Sequence, residues 1–204
     1  RPAAPSGTQK KSWLPKALIF LVIAGGMIVI APTISFWGKS QEEQNQQWFK
    51  KGMDFYENEE YTKAGKWFRK AAEQGHARAQ SAVGFMYEEG NGVSQDDAKA
   101  AEWYRKAAEQ GNAHAQLFLA TMYEEGSGVA QDDAKAVEWY RKAAQHGHAT
   151  AQNNLGVMYY EGRGVRQDYS KAAEWLSKAA EQGYARAQYN LGWMYVNGEG
   201  VAKD

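Results

Sequence analysis

An all-α solenoid of helix-turn-helix units with a period of 36 residues, preceded by one transmembrane helix, is the fold the sequence predicts. Three observations predict it. The segment "EEGNGVSQDDAKAAEWYRKAAEQG" at 88–111 returns as "EEGSGVAQDDAKAVEWYRKAAQHG" at 124–147 and as "YEGRGVRQDYSKAAEWLSKAAEQG" at 160–183. Inside each copy, apolar residues recur at the three- and four-residue spacings of a helix face. Ahead of the copies, residues 17–37 run for 21 positions without a charge.

The elements follow in order. Residues 1–16 form an N-terminal flank, and "ALIFLVIAGGMIVIAPTISFW" at 17–37 would make a helix about 30 Å long, enough for a bilayer core. Trp13 and Trp37 stand at its ends like interfacial anchors, and Pro32 lies where the helix is finishing. A cleaved signal peptide is the competing reading, but it calls for a shorter apolar core and small residues before a cut. Lys10, Lys11 and Lys16 precede the span while Lys39 alone lies close after it, so the positive-inside tendency sends the repeats outward, into a periplasm if the cell is bacterial. Residues 38–47 read as a linker.

From Trp48 onward the chain is repeat: a shorter capping unit at 48–75, full units at 76–111, 112–147 and 148–183, and an incomplete unit at 184–204. In the second helix of the first full unit, Ala100, Trp103, Tyr104, Ala107 and Ala108 form one apolar stripe, with Glu102 and Lys106 four apart on the other side. Glu138 with Lys142 and Glu174 with Lys178 repeat that pair. Asp96 and Asp97 open the helix, as Asp132 and Asp133 do one unit on, and Gly111 closes it. "GNGV", "GSGV", "GRGV" and "GEGV" join first helix to second. Without a GxxxxGK[ST] context they read as turns whose glycines supply positive φ while Val93, Val129, Val165 and Val201 tuck inward.

The pattern "AxAQxxLGxMYxxGxGVxxDxxKAxxWxxKAAxxG", clearest from Ala149 to Gly183, resembles the SEL-one-like repeat, a branch of the tetratricopeptide-repeat superfamily. The resemblance covers 76–204 closely, while 48–75 lacks the Gly-x-Gly-Val turn and resembles an ordinary tetratricopeptide-like unit. It implies right-handed superhelical stacking, first helices lining a concave face, and a scaffold or adaptor role, commonly in membrane-linked complexes or the bacterial envelope. Some secreted bacterial members are held by disulfides; this chain has no cysteine and departs from them.

Variation among the repeats locates a candidate site. Along the first helix, Ala79, Val83, Met86 and Tyr87 keep their character in later units and are expected to pack unit on unit. The other side changes, and from it we take Arg78, Phe85, Leu117, Phe118, Thr121, Asn153, Asn154, Arg186, Tyr189 and Trp193 as a concave face for a protein or peptide. Apolar anchors among polar neighbours suit such a groove.

Composition narrows the function. Lys plus Arg equals Asp plus Glu at 24 each, so no net field recommends nucleic acid. No cofactor or metal site is indicated: His146 and His148 flank Gly147 and need not converge, and Glu88–Glu89 and Glu124–Glu125 read as solvated helix ends. The chain is therefore read as a non-enzymatic, single-pass membrane scaffold that binds protein or peptide in an envelope complex. An envelope hydrolase or cell-wall-ligand protein on the same scaffold is the alternative. Since the chain starts at Arg1 and stops where another helix is due, a longer natural protein is expected.

Overall fold

The computed structural model describes residues 33–200, with side chains from residue 40. Among them, nine helices follow one another: α1 (Thr33–Glu57), α2 (Tyr61–Glu73), α3 (Ala77–Glu89), α4 (Asp97–Glu109), α5 (Ala113–Glu125), α6 (Asp133–Gln145), α7 (Ala149–Glu161), α8 (Tyr169–Glu181) and α9 (Ala185–Asn197). Each packs chiefly on its neighbours in sequence, so the array grows by addition, as a solenoid does. The span expected at 17–37 lies outside the described residues apart from 33–37. No helix among the described residues is long and apolar enough to cross a membrane. Residues 38–47, read as a linker, are helical and continuous with α1, held in place by buried Asn45, whose Nδ2 donates to the Gln74 carbonyl at 3.3 Å.

The helix ends are where the sequence marked them. Asp96, Asp132 and Asp168 cap α4, α6 and α8, each side chain accepting the N–H three residues on at 3.0 Å. At the other end Gly111 takes φ +86°, its N–H reaches Ala108 O, and the next N–H, from Asn112, reaches back to Ala107 O. That is the left-handed closure in which two orphan carbonyls are recovered, and Gly75, Gly147 and Gly183 repeat it.

The core repeats with the same period. Phe68, Tyr104, Tyr140 and Leu176 occupy one position of the second helices and are almost wholly buried, each worth about 1.5–3 kcal/mol of apolar burial. Of the stripe read in α4, Ala100, Tyr104, Ala107 and Ala108 are buried while Trp103 lies at its edge: it and its counterparts Trp139 and Trp175 are half-buried, with Lys106, Lys142 and Lys178 lying over them at 4.2, 3.6 and 4.2 Å from the ring centroid. All three lysines make the cation–π contact, and of the expected Glu–Lys pairs only Glu174–Lys178 also closes as an ion pair, at 2.6 Å.

Polar groups stitch unit to unit. Gln80, Gln116 and Gln152 are buried and donate to Ala72 O, Ala108 O and Ala144 O, each at 3.1 Å, across the boundary to the preceding helix. Their side-chain oxygens are then met from the following helix: Gln110 donates to Gln80 at 2.6 Å and Gln182 to Gln152 at 2.7 Å. His146 stands at the equivalent place for Gln116, whose Oε1 finds no donor among the described residues. In the loops, Gly92, Gly128, Gly164 and Gly200 press on the first turn of the preceding unit's second helix, so close that a Cβ on Gly128 would lie 2.2 Å from Asp97 O.

Two outcomes follow for unfolding measured by chemical denaturation. Gly128→Ala should lower stability by about 3 kcal/mol or more, because backbone stands where the methyl must go. Gly111→Ala, also at positive φ but with nothing within 4 Å, should cost only about 1 kcal/mol. Separately, His146→Gln should raise stability by about 1 kcal/mol by supplying the missing donor to Gln116. No gain there would mean that Gln116 is already satisfied.

Candidate functional site

Three first helices and one second helix meet around a cavity of about 320 Å³. Phe49, Met53 and Tyr56 enter from α1 at helical spacing, Phe68 from α2, Arg78, Ser81, Ala82 and Phe85 from α3, and His114 and Phe118 from α5, with Asn112 at its cap. The aromatic rings touch in series. Tyr56 meets Phe85 edge-on at 6.5 Å, Phe85 meets Phe118 at 6.4 Å, and Phe118 stacks on buried Tyr104 at 5.1 Å and 18°. Arg78 lies over Phe49, 4.9 Å from the centroid. The Tyr104 hydroxyl donates to Glu88 at 2.5 Å. Burial pushes the titration of both groups upward, and the shared hydrogen bond raises Tyr104 further while lowering Glu88.

Of the expected face, Arg78, Phe85 and Phe118 line this cavity. The middle members are occupied otherwise. Leu117 and Asn153 are buried at 9% and 5% exposure, since their position lies beneath the next unit's first helix, and Asn190 Nδ2 donates to Asn153 Oδ1 at 3.1 Å. Asn153 in turn donates to Asn154, while the Thr121 hydroxyl bonds Leu117 O at 3.2 Å and lies 3.1 Å from the Tyr140 hydroxyl. Tyr189 and Trp193 are 72% and 55% exposed and Arg186 is exposed. Trp193 lines a second, smaller cavity of about 150 Å³ with Val157, Tyr160, Leu176, Asn190 and Met194. The face is thus two concavities separated by a packed middle. The sequence reading missed Phe49, Met53 and Tyr56, although their spacing matched a helix face.

The structure also joins two histidines that lie 34 residues apart. His114 Nδ1 and His148 Nε2 are 3.4 Å apart, the rings nearly perpendicular. Burial first, then the neighbouring ring, holds His148 below the ordinary imidazole value. His148 is the cap residue of α7 but makes no cap bond, and its Nδ1 is buried without a partner among the described residues. Its counterparts His76 and Asn112 do cap, accepting from Ala79 N at 3.2 Å and Ala115 N at 2.9 Å. His76 is likewise held low, by burial and by Arg78, with Glu42 opposing.

Comparison with known proteins gives a consistent result. The family model described as "Sel1 repeat" matches residues 55–76, 77–112, 113–148, 149–184 and 185–204. The chain is similar to c5321, described as a protective antigen present in uropathogenic Escherichia coli strains and displaying an SLR fold, at 41% identity and TM-score 0.76, over 85% of this chain and 38% of that one. It is similar to a Sel1 repeat protein from Oxalobacter formigenes at 38% identity and TM-score 0.73, over 76% and 64% of the two chains. Helicobacter pylori cysteine rich protein B is 27% identical with TM-score 0.50, over 62% and 96%. The chain therefore spans less than two thirds of the first two relatives. No curated protein matches.

His148→Asn should stabilise the fold by about 1 kcal/mol at pH 7, by giving α7 the cap bond that Asn112 gives α5. It should also change the pH profile. A histidine whose folded pKa is depressed binds its proton more readily in the unfolded chain, so stability falls as pH drops through 6.5, and the asparagine variant should lose less. Denaturation midpoints at pH 7 and pH 5 measure both effects.

Proposed function

The chain belongs to the Sel1 repeat family, and from that premise we propose that it is a membrane-tethered scaffold that binds a protein or peptide partner in the groove between its first three units. Sel1 repeat proteins serve as scaffolds for protein–protein interaction. The observation that carries the reading to a surface is the apolar cavity floored by Phe68, Phe85 and Phe118 and rimmed by Arg78, Asn112 and His114. Phe85 and Phe118 are only partly covered by the core, and aromatic rings left partly open in a concavity are the usual anchors of an interface. Tethering is supported by the uncharged run at 17–37, and the charges before it favour repeats on the outer side of a bacterial inner membrane. The role is one of holding partners together and not of turnover.

The test is site-directed photocrosslinking in membranes, with the photoreactive residue at Phe118 in the groove or at Glu102 on the exposed side of α4. Protein adducts from 118 and not from 102 are the expected result. Equal labelling from both, or none from 118, removes the groove from the proposal, and recovery of the chain in the soluble fraction removes the tether.

A further inference from the structure

We infer that the groove takes an extended peptide in which a bulky apolar side chain stands beside an aspartate or glutamate, the carboxylate being held by Arg78. The inference rests on the scaffold reading and adds the chemistry of the partner. Most other cations of the array are already engaged. Lys99, Lys135 and Lys171 pair with the helix-opening aspartates. Arg69, Arg105 and Arg141 donate to the hydroxyls of Tyr87, Tyr123 and Tyr159, and Arg163 pairs with Glu124. Arg78 is exposed at the groove and makes no hydrogen bond or ion pair among the described residues. Its guanidinium rests over the Phe49 ring, which limits its motion while leaving the N–H edge free for a two-point bond to a carboxylate.

The rest of the rim has the same polarity. No aspartate or glutamate lines the cavity. Asn112 has its Oδ1 engaged by the Ala115 N–H, so the amide NH2 is what it offers, and the Ser81 hydroxyl and the His114 ring stand nearby. Met53, Phe85 and Phe118 make an apolar floor beside these donors, in a space at the small end of ligand pockets, fitting one large side chain and adjoining backbone. A lysine-bearing segment would set like charge against Arg78, so the groove selects acid over base.

The test is display selection of random twelve-residue peptides on the full chain and on its Arg78→Glu variant. Peptides retained by the unaltered chain should pair Phe, Trp or Leu with Asp or Glu. The variant should lose that acid preference and weaken the best acidic peptide, read by fluorescence polarisation, about tenfold or more. Acidic residues no commoner than in the starting library, or binding unchanged in Arg78→Glu, overturns the inference. If apolar peptides without acid are retained and Phe118→Ala releases them, the carboxylate is wrong and the groove stands. If no peptide is retained, both fail.

Discussion

Contact between backbone and backbone sets the spacing of this array. The second glycine of each loop presses against the first turn of the preceding second helix, Gly128 against Asp97 and Gly164 against Asp133, where no side chain can be interposed. Side-chain packing alone would let the interval between units vary with residue size. Fixing it through main chain makes the interval the same whatever the units carry elsewhere. The buried glutamines depend on that constancy, because a side-chain amide reaches the helix-closing carbonyls of the previous unit only if the two helices keep one separation. So does the common burial of Phe68, Tyr104, Tyr140 and Leu176.

A constant frame makes side-chain size at a few positions decisive. Ala82, Phe118, Asn154 and Asn190 share one repeat position, and Phe85, Thr121, Val157 and Trp193 another. Small Ala82 beside large Phe85 and Phe118 leaves a hollow at one end, while Thr121, Asn153 and Asn154 bond to one another's neighbourhood and close the middle. The groove is thus a local consequence of residue choice on a uniform frame. Its electrostatics are local as well: no carboxylate lines the cavity, Glu88 is engaged by the Tyr104 hydroxyl, and the rim carries donors.

Much of the fold was legible because period, caps and closing glycines are local chemistry. Asp96 announces a helix start and Gly111 a helix end without reference to anything distant. The parts that were not legible depend on approach between units. Leu117 and Asn153 share the variable face with Phe118, and only the arrival of the next helix buries them. Trp103 and Tyr104 both fit an apolar stripe, and only the packing shows that Tyr104 is the buried one while Trp103 stays at the edge under Lys106. The contribution of α1 to the groove, and the meeting of His114 with His148, required the stacking geometry itself.

Near-identical units carry a hazard of their own: during folding, one may dock where another belongs. The residue between the loop glycines bears on this. Asn91 donates to Tyr56 at 3.2 Å, Arg163 to Glu124 at 2.6 Å, and Glu199 accepts from Tyr160 at 2.8 Å, each bridging to the unit before it. The glycines on either side are common to all four loops, so in these three the bridge is set by the residue that stands between them. Were the last loop to settle one unit too early, Glu199 would face Glu124, carboxylate to carboxylate, and the Arg163–Glu124 pair would be lost. A variable letter of the turn thereby disfavours at least that one wrong register.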